Sequence, residues 1–175
     1  MNIYWSNFKK VCLHKYYVFK VGRRNGLGVV RLLLHDWDKF APKMFTAYAR
    51  MFSPTRDEDY PPQNSRKHGL CMQFGSSCIT LEQVESEFKL RWNRHQKVCK
   101  HHWQAWVHKS DDSGEDEPIE MDYYDMIEMV SDWEGARLAY NSTETMLQWY
   151  TRTRGARKLH PLTLAWVDRH IGYDA

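Results

Sequence analysis

The chain has 175 residues, with 25 Lys and Arg against 22 Asp and Glu and a formal net charge of +3. That length accommodates one hydrophobic core, and so small a net charge does not by itself imply a nucleic-acid partner. No apolar run reaches a membrane span and residues 1–10 lack the apolar stretch of a secretory signal, so a cytoplasmic location is expected, the host cytoplasm for a viral chain.

Aromatic residues make up 14% of the chain, with eight Trp and ten Tyr, and need a large interior or an aromatic-lined pocket. The four cysteines (Cys12, Cys71, Cys78, Cys99) form no C-x-x-C pair. Cys71 and Cys78, with His68 nearby, have the wrong spacing for the usual tetrahedral zinc sites, so reduced thiols are expected.

A first helix is predicted over about 6–24, carrying Val11, Tyr16, Val18 and Val21, and is stopped by Asn25-Gly26 and Gly28. A short second helix follows over about 29–37. Pro42 opens a third, with Met44, Phe45, Tyr48, Ala49 and Phe52 at helical spacing. The pattern dissolves over 53–77, where Pro54, Pro61, Pro62, Gly69 and Gly75 read as a lid, an ordered excursion or a disordered insertion. Thr80-Leu-Glu-Gln83 resembles a capping box opening a long helix with Leu81, Val84, Phe88 and Trp92 in a stripe. That helix carries His95 and is expected to extend toward His102 or Trp106. The acidic stretch 111–117 reads as a solvated loop. A helix over 122–140 is expected to turn Tyr123, Ile127, Val130 and Trp133 inward. Thr143 opens a further helix, and Leu159-His160-Pro161 leads into a last one ending near His170. No convincing strand alternation occurs, so the expected fold is a single all-α domain with a long surface insertion.

The chemistry concentrates at His35-Asp36-Trp37-Asp38-Lys39, which ends the apolar run Val29–Leu34. Adjacent imidazole and carboxylate offer nitrogen and oxygen ligands to a hard or borderline divalent metal, and both are costly to bury unpaired. His14 lies mid-helix, and the Asn25-Gly26 turn allows its helix to pack antiparallel to the one before His35. On a continuous long helix, His95 and His102 would share a face, with His101 turned away. Asp132, between Val130 and Trp133, is a carboxylate on an inward face that wants a cation.

The segments LHKYYVFKVGRRNG, VVRLLLHDWDKF, KHHWQAW and EMVSDW resemble the landmarks of HD-domain metal-dependent phosphohydrolases. They are similar above all to a bacterial and viral family without assigned function that shares H-K-x-Y-V, L-L-L-H-D-x-x-K-F, H-H-W-x-x-W and E-M-V-x-D-W. The resemblance implies an HD-like helical domain and makes His14, His35, Asp36 and Asp132 metal ligands. It matches His95, His101 and His102 to the extra histidines that binuclear members use for a second ion, without deciding which of them bind. The implied cofactor is one or two divalent ions (Mn, Co, Mg, Zn or Fe). Asp38 departs from the small polar residues usual there, and adds an outer partner or nothing.

Such ligand sets hold no obvious covalent nucleophile, so the expected reaction is attack of a metal-activated water on phosphorus. Lys39 is placed to touch phosphate as a point charge beside the catalytic Asp36, or is simply a surface lysine. Arg94 and Lys97 are further candidates for holding a substrate phosphate, or they solvate the outer face. The basic segment 151–158 suits an oligonucleotide, or else complements a helix end. Trp37, Trp103, Trp106 and Trp133 wall a pocket or fill the core. The leading reading is a phosphohydrolase of nucleotides or related phosphate esters, the partner being a phosphate-containing small molecule. The alternatives are an HD-fold di-iron oxygenase similar to inositol oxygenase, and a metal-stabilised binding module of viral origin.

Overall fold

The computed structural model describes residues 2–52, 71–74 and 77–174. Among them are seven α-helices: α1 (Ile3–Arg24), α2 (Val29–Leu34), α3 (Pro42–Met51), α4 (Leu81–Val98), α5 (Tyr123–Ala139), α6 (Met146–Thr153) and α7 (Pro161–Ile171). Two small antiparallel hairpins accompany them. In the first, β1 (Cys71–Phe74) pairs with β2 (Ser77–Thr80); in the second, β3 (Val107–Lys109) pairs with β4 (Asp116–Pro118). The fold is all-α, and the hairpins are additions the sequence pattern does not foretell. Strands of three and four residues offer too few positions for alternation to register. Part of the acidic stretch is therefore a strand rather than a loop. Most of the 53–77 insertion, His68 and the side chains of Cys71 and Cys78 lie outside the described residues.

Local chemistry sets most helix ends. Gly26 turns the chain after α1 with φ of +88°, and Pro42 occupies the first turn of α3, where its missing N–H is not needed. At α4 the Thr80 amide donates to Gln83 Oε1 at 2.9 Å while the Gln83 amide donates to Thr80 Oγ1 at 3.2 Å. The same reciprocal box starts α6 at Thr145 with Gln148, two residues later than expected, because Thr143 has no Gln or Glu three positions on. Two other ends differ from expectation. α2 stops at Leu34, and α4 stops at Val98, so His101 and His102 lie beyond that helix and share no helical face with His95.

The chain divides into two units. The first comprises Met1–Val11 and Trp37–His95. It buries Met44, Ala47, Ala49 and Val84, with Tyr48 edge-on to Phe88 at 5.2 Å and to Trp92 at 5.9 Å. The second comprises Cys12–Asp36 and Gln96–Ala175. Its core gathers Met126, Met129, Val130, Tyr150 and Val167 in one cluster and Val18, Leu27, Leu32 and Ile127 in another. α5 runs through the middle of this unit: all eight residues from Asp125 to Asp132 are buried. Its expected inner face is corrected accordingly, since Tyr123 is 56% exposed while Asp125, Glu128 and Asp132 point inward.

Every cation of the basic segment is engaged within the second unit. Arg152 pairs with Glu144, Arg154 forms a two-pronged bridge to Asp168, and Lys158 pairs with Asp116. The Arg157 guanidinium lies 4.5 Å from the ring centres of both Trp133 and Trp149, and burial pushes its pKa down. The segment is a structural strap. Among the described residues, no helix is long and apolar enough to cross a membrane.

Candidate metal centre

Four side chains from three segments of the second unit converge. His14 comes from the middle of α1, His35 caps α2, Asp36 follows it and Asp132 comes from α5. All four are buried, with exposures of 9% or less. His35 leaves the helix with ψ of 128°, and Asp36 takes a left-handed conformation with φ of +53°. A non-glycine residue pays about 1–2 kcal/mol for that conformation, and Asp is among the types that tolerate it. The two adjacent side chains thereby reach the same point.

His14 Nε2 is 3.2 Å from Asp36 Oδ2 and 3.0 Å from Asp132 Oδ1, and His35 Nε2 is 3.3 Å from each of the same oxygens. One atom from each residue lies within 4.8 Å of the others. With bonds of about 2.1 Å to a shared ion, the edges of an octahedron are about 3.0 Å and those of a tetrahedron about 3.4 Å. The observed separations fall on that scale. Two of the converging atoms, His35 Nε2 and Asp132 Oδ1, are buried and, beyond these ion-pair contacts, have no well-aligned hydrogen bond. Buried nitrogen and oxygen at contact distance without hydrogen-bond alignment point their lone pairs at a common centre. That is the arrangement a cation needs, and the residues fit one.

The electrostatics agree. Burial alone would lower the His35 pKa, but the Asp36 charge, the close Asp132 and Asp36 carboxylates and the hydrogen bond to Glu128 raise it well above the usual histidine range. Burial would raise Asp132, yet the close contacts and charge of His14 and His35 hold it well below the usual carboxylate range. The site draws in positive charge.

Glu128 completes the centre, and the sequence reading did not single it out. His35 Nδ1 donates to Glu128 Oε1 at 2.9 Å, which leaves Nε2 as the nitrogen that would turn its lone pair to a metal once the ring gives up its second proton. Glu128 Oε2 accepts from Arg31 Nη1 at 2.8 Å, and the same nitrogen donates to Asp125 Oδ1 at 2.7 Å. Burial pushes Glu128 up, but the His35 hydrogen bond, the His101 and His35 charges and Arg31 bring it below the usual range. A signal for these residues was present. Asp125, Glu128 and Asp132 recur at i, i+3 and i+7 along one helix face, and Arg31 precedes His35 by one turn. Glu128→Gln is expected to weaken metal binding about 10–100-fold, read by competition with a chelating dye. Unchanged affinity would show that His35 needs no orienting partner.

The remaining candidates separate. His101 and His102 are buried in the same unit; His101 Nε2 is 3.3 Å from Asp36 Oδ1, and its ring lies 4.4 Å from that of His35 and 4.3 Å from that of His102. His95 belongs to the first unit, where its ring stacks on Trp92 and Nδ1 donates to Asp38 at 2.8 Å. Asp38 is thus the partner that orients His95. Lys39 is not a surface lysine: it is buried, with its ammonium 5.6 Å from the ring centres of both Tyr48 and Trp92. Arg94 is exposed on α4, and Lys97 donates to the Gln104 carbonyl at 2.9 Å. Trp37 is 64% exposed, whereas Trp103, Trp106 and Trp133 pack against the core of the second unit.

Residues 4–172 match the model of a family of unknown function, DUF5662. No curated protein and no solved structure matches the chain.

Proposed function

Since the chain belongs to that family, whose description carries no activity, we propose its function from the centre itself: a metal-dependent phosphohydrolase acting on a nucleotide or a related phosphate ester. The observation that carries this is the buried His14, His35, Asp36, Asp132 set, whose ligand atoms converge, with His35 Nε2 and Asp132 Oδ1 in contact there but without well-aligned hydrogen bonds. A divalent ion held by these residues supplies a water of lowered pKa and charge to offset the phosphoryl oxygens.

The chain's own groups do the rest. Glu128 fixes the tautomer of His35, and Arg31 supports the ionised form of Glu128. Asp36 would hold the ion through its carboxylate, and its Oδ1 lies 3.3 Å from His101 Nε2, a histidine that could take the proton released by the attacking water. Lys39, three residues after Asp36 in the sequence, is the candidate for the phosphate on that ground. Its ammonium is stripped of bulk water by two aromatic faces, and a charge so placed interacts more strongly than an exposed one. The free thiols of Cys12 and Cys99 suit a cytoplasmic protein, which is part of the same reading.

The test begins with protein freed of metal and reloaded with manganese, cobalt or magnesium. It is expected to release phosphate from members of a nucleotide panel, and Lys39→Ala is expected to lose turnover while keeping its metal. His101 beside Asp36 also suits a second ion, which favours the di-iron oxygenase as the competing reading. Silence across the panel with a di-iron absorption band on aerobic iron loading would install the oxygenase. Silence with metal-dependent folding alone would install a binding module.

A further inference from the structure

An open cleft of about 360 Å³ adjoins the candidate metal centre within the second unit; His35, Asp36 and His101 line it on one side, and Arg31, Lys100, Asp125 and Glu128 supply its other charges, with Leu34 and Cys99 between them. A molecule held there touches the centre. The volume is at the lower end for small-molecule sites, suited to a sugar or nucleoside rather than a polymer.

The wall has a definite polarity. Arg31 spends Nη1 on Asp125 and Glu128, which fix the guanidinium in place. Its Nε and Nη2 donate to no described residue, and the side chain is 38% exposed. Asp125 is 3% exposed, and only its Oδ1 is hydrogen-bonded among the described residues. A rigid donor edge and a carboxylate acceptor thus face one cleft.

Three kinds of substrate group can be weighed against this wall. Arg31 and Lys100 against Asp125 and Glu128 balance, so the wall carries no excess positive charge to draw in a second phosphate or carboxylate. An apolar group would desolvate these charged side chains and return nothing. A hydroxyl both donates and accepts, so it satisfies Asp125 and Arg31 at once, and a neighbouring pair of hydroxyls satisfies them better. Leu34, 64% exposed, offers an apolar surface to the carbon side of a sugar ring.

We propose that this cleft holds the alcohol half of a phosphate monoester bearing neighbouring hydroxyls, with Arg31 and Asp125 reading the diol. The inference rests on the phosphohydrolase reading and names its substrate class. The shared chemistry is a vicinal diol, from a sugar phosphate or from a ribonucleoside monophosphate.

Manganese-loaded wild-type protein is assayed for kcat/KM on ribose 5-phosphate, adenosine 5′-monophosphate, its 2′,3′-dideoxy analogue, phenyl phosphate and adenosine 5′-diphosphate. The diol-bearing monoesters are expected to exceed the dideoxy and phenyl esters at least about tenfold, because hydroxyls bonded to charged groups are lost in the latter. The ratio of the first two substrates tells whether a base is bound as well. Asp125→Asn is expected to move the diol-to-dideoxy ratio toward one. Turnover with a ratio near one in wild type, or a preference for the diphosphate, overturns this inference and leaves the phosphohydrolase standing. No turnover of any ester overturns both.

Discussion

Asp36→Ala is expected to empty the candidate metal centre. The carboxylate contributes Oδ2 to the converging set and lies 3.2 Å from His14 Nε2 and 3.3 Å from His35 Nε2, so its removal leaves three ligands and two histidines with nothing between them. Bound metal, measured by elemental analysis after dialysis, is expected to fall from stoichiometric to below about a tenth of the protein, as the loss of a carboxylate ligand weakens a site far more than the 10–100-fold of an outer partner. Alanine also sits poorly at φ of +53°, so Asp36→Asn is the companion variant: it tolerates that backbone and removes only the charge. Both variants are expected to lose metal. If either retains a full equivalent, the ion is not where His14, His35, Asp36 and Asp132 converge.

The second large effect is one of packing. Gly135 lies on α5 where α1 passes closest: a Cβ built there would meet Val18 Cγ2 at 2.5 Å, its amide nitrogen at 2.8 Å and its Cα at 2.9 Å. Two of those three atoms are backbone and cannot swing aside. Gly135→Ala is therefore expected to cost about 3 kcal/mol, the upper end for overpacking. Because α1 carries His14 and α5 carries Asp132, the shift also reaches the ligands. Denaturant unfolding provides the measurement, with Gly155→Ala as control, since nothing lies within 4 Å of a Cβ at that position. Equal midpoints for the two variants would mean the helices separate freely, and that the spacing of His14 and Asp132 is not set by this contact.

The helices themselves were largely written in local signals. Capping residues at Thr80, the proline at Pro42 and the turn at Asn25-Gly26 act over a few residues, so their meaning survives without tertiary context. The grouping of His14, His35, Asp36 and Asp132 was expected too, from the order in which the chain's motifs resemble HD-domain ligand sets, with the inward face of Asp132 and the His35-Asp36 pair as its physical support. What the sequence could not supply was direction. α2 reads as an apolar stretch, yet only Leu32 is buried while Leu33 and Leu34 are 58% and 64% exposed. α5 is buried on all sides, so its apolar residues mark no single face, and the inward turn of Glu128 is decided by Arg31 and His35 reaching it from another segment.

The fate of Lys39, placed over two rings, and of the basic segment, whose four cations all find partners in the fold, was decided the same way. A charge on a sequence is the same whether it meets solvent, substrate or another side chain. Only the packed chain, by fixing which groups lie within 3–6 Å of it, determines the one it answers to.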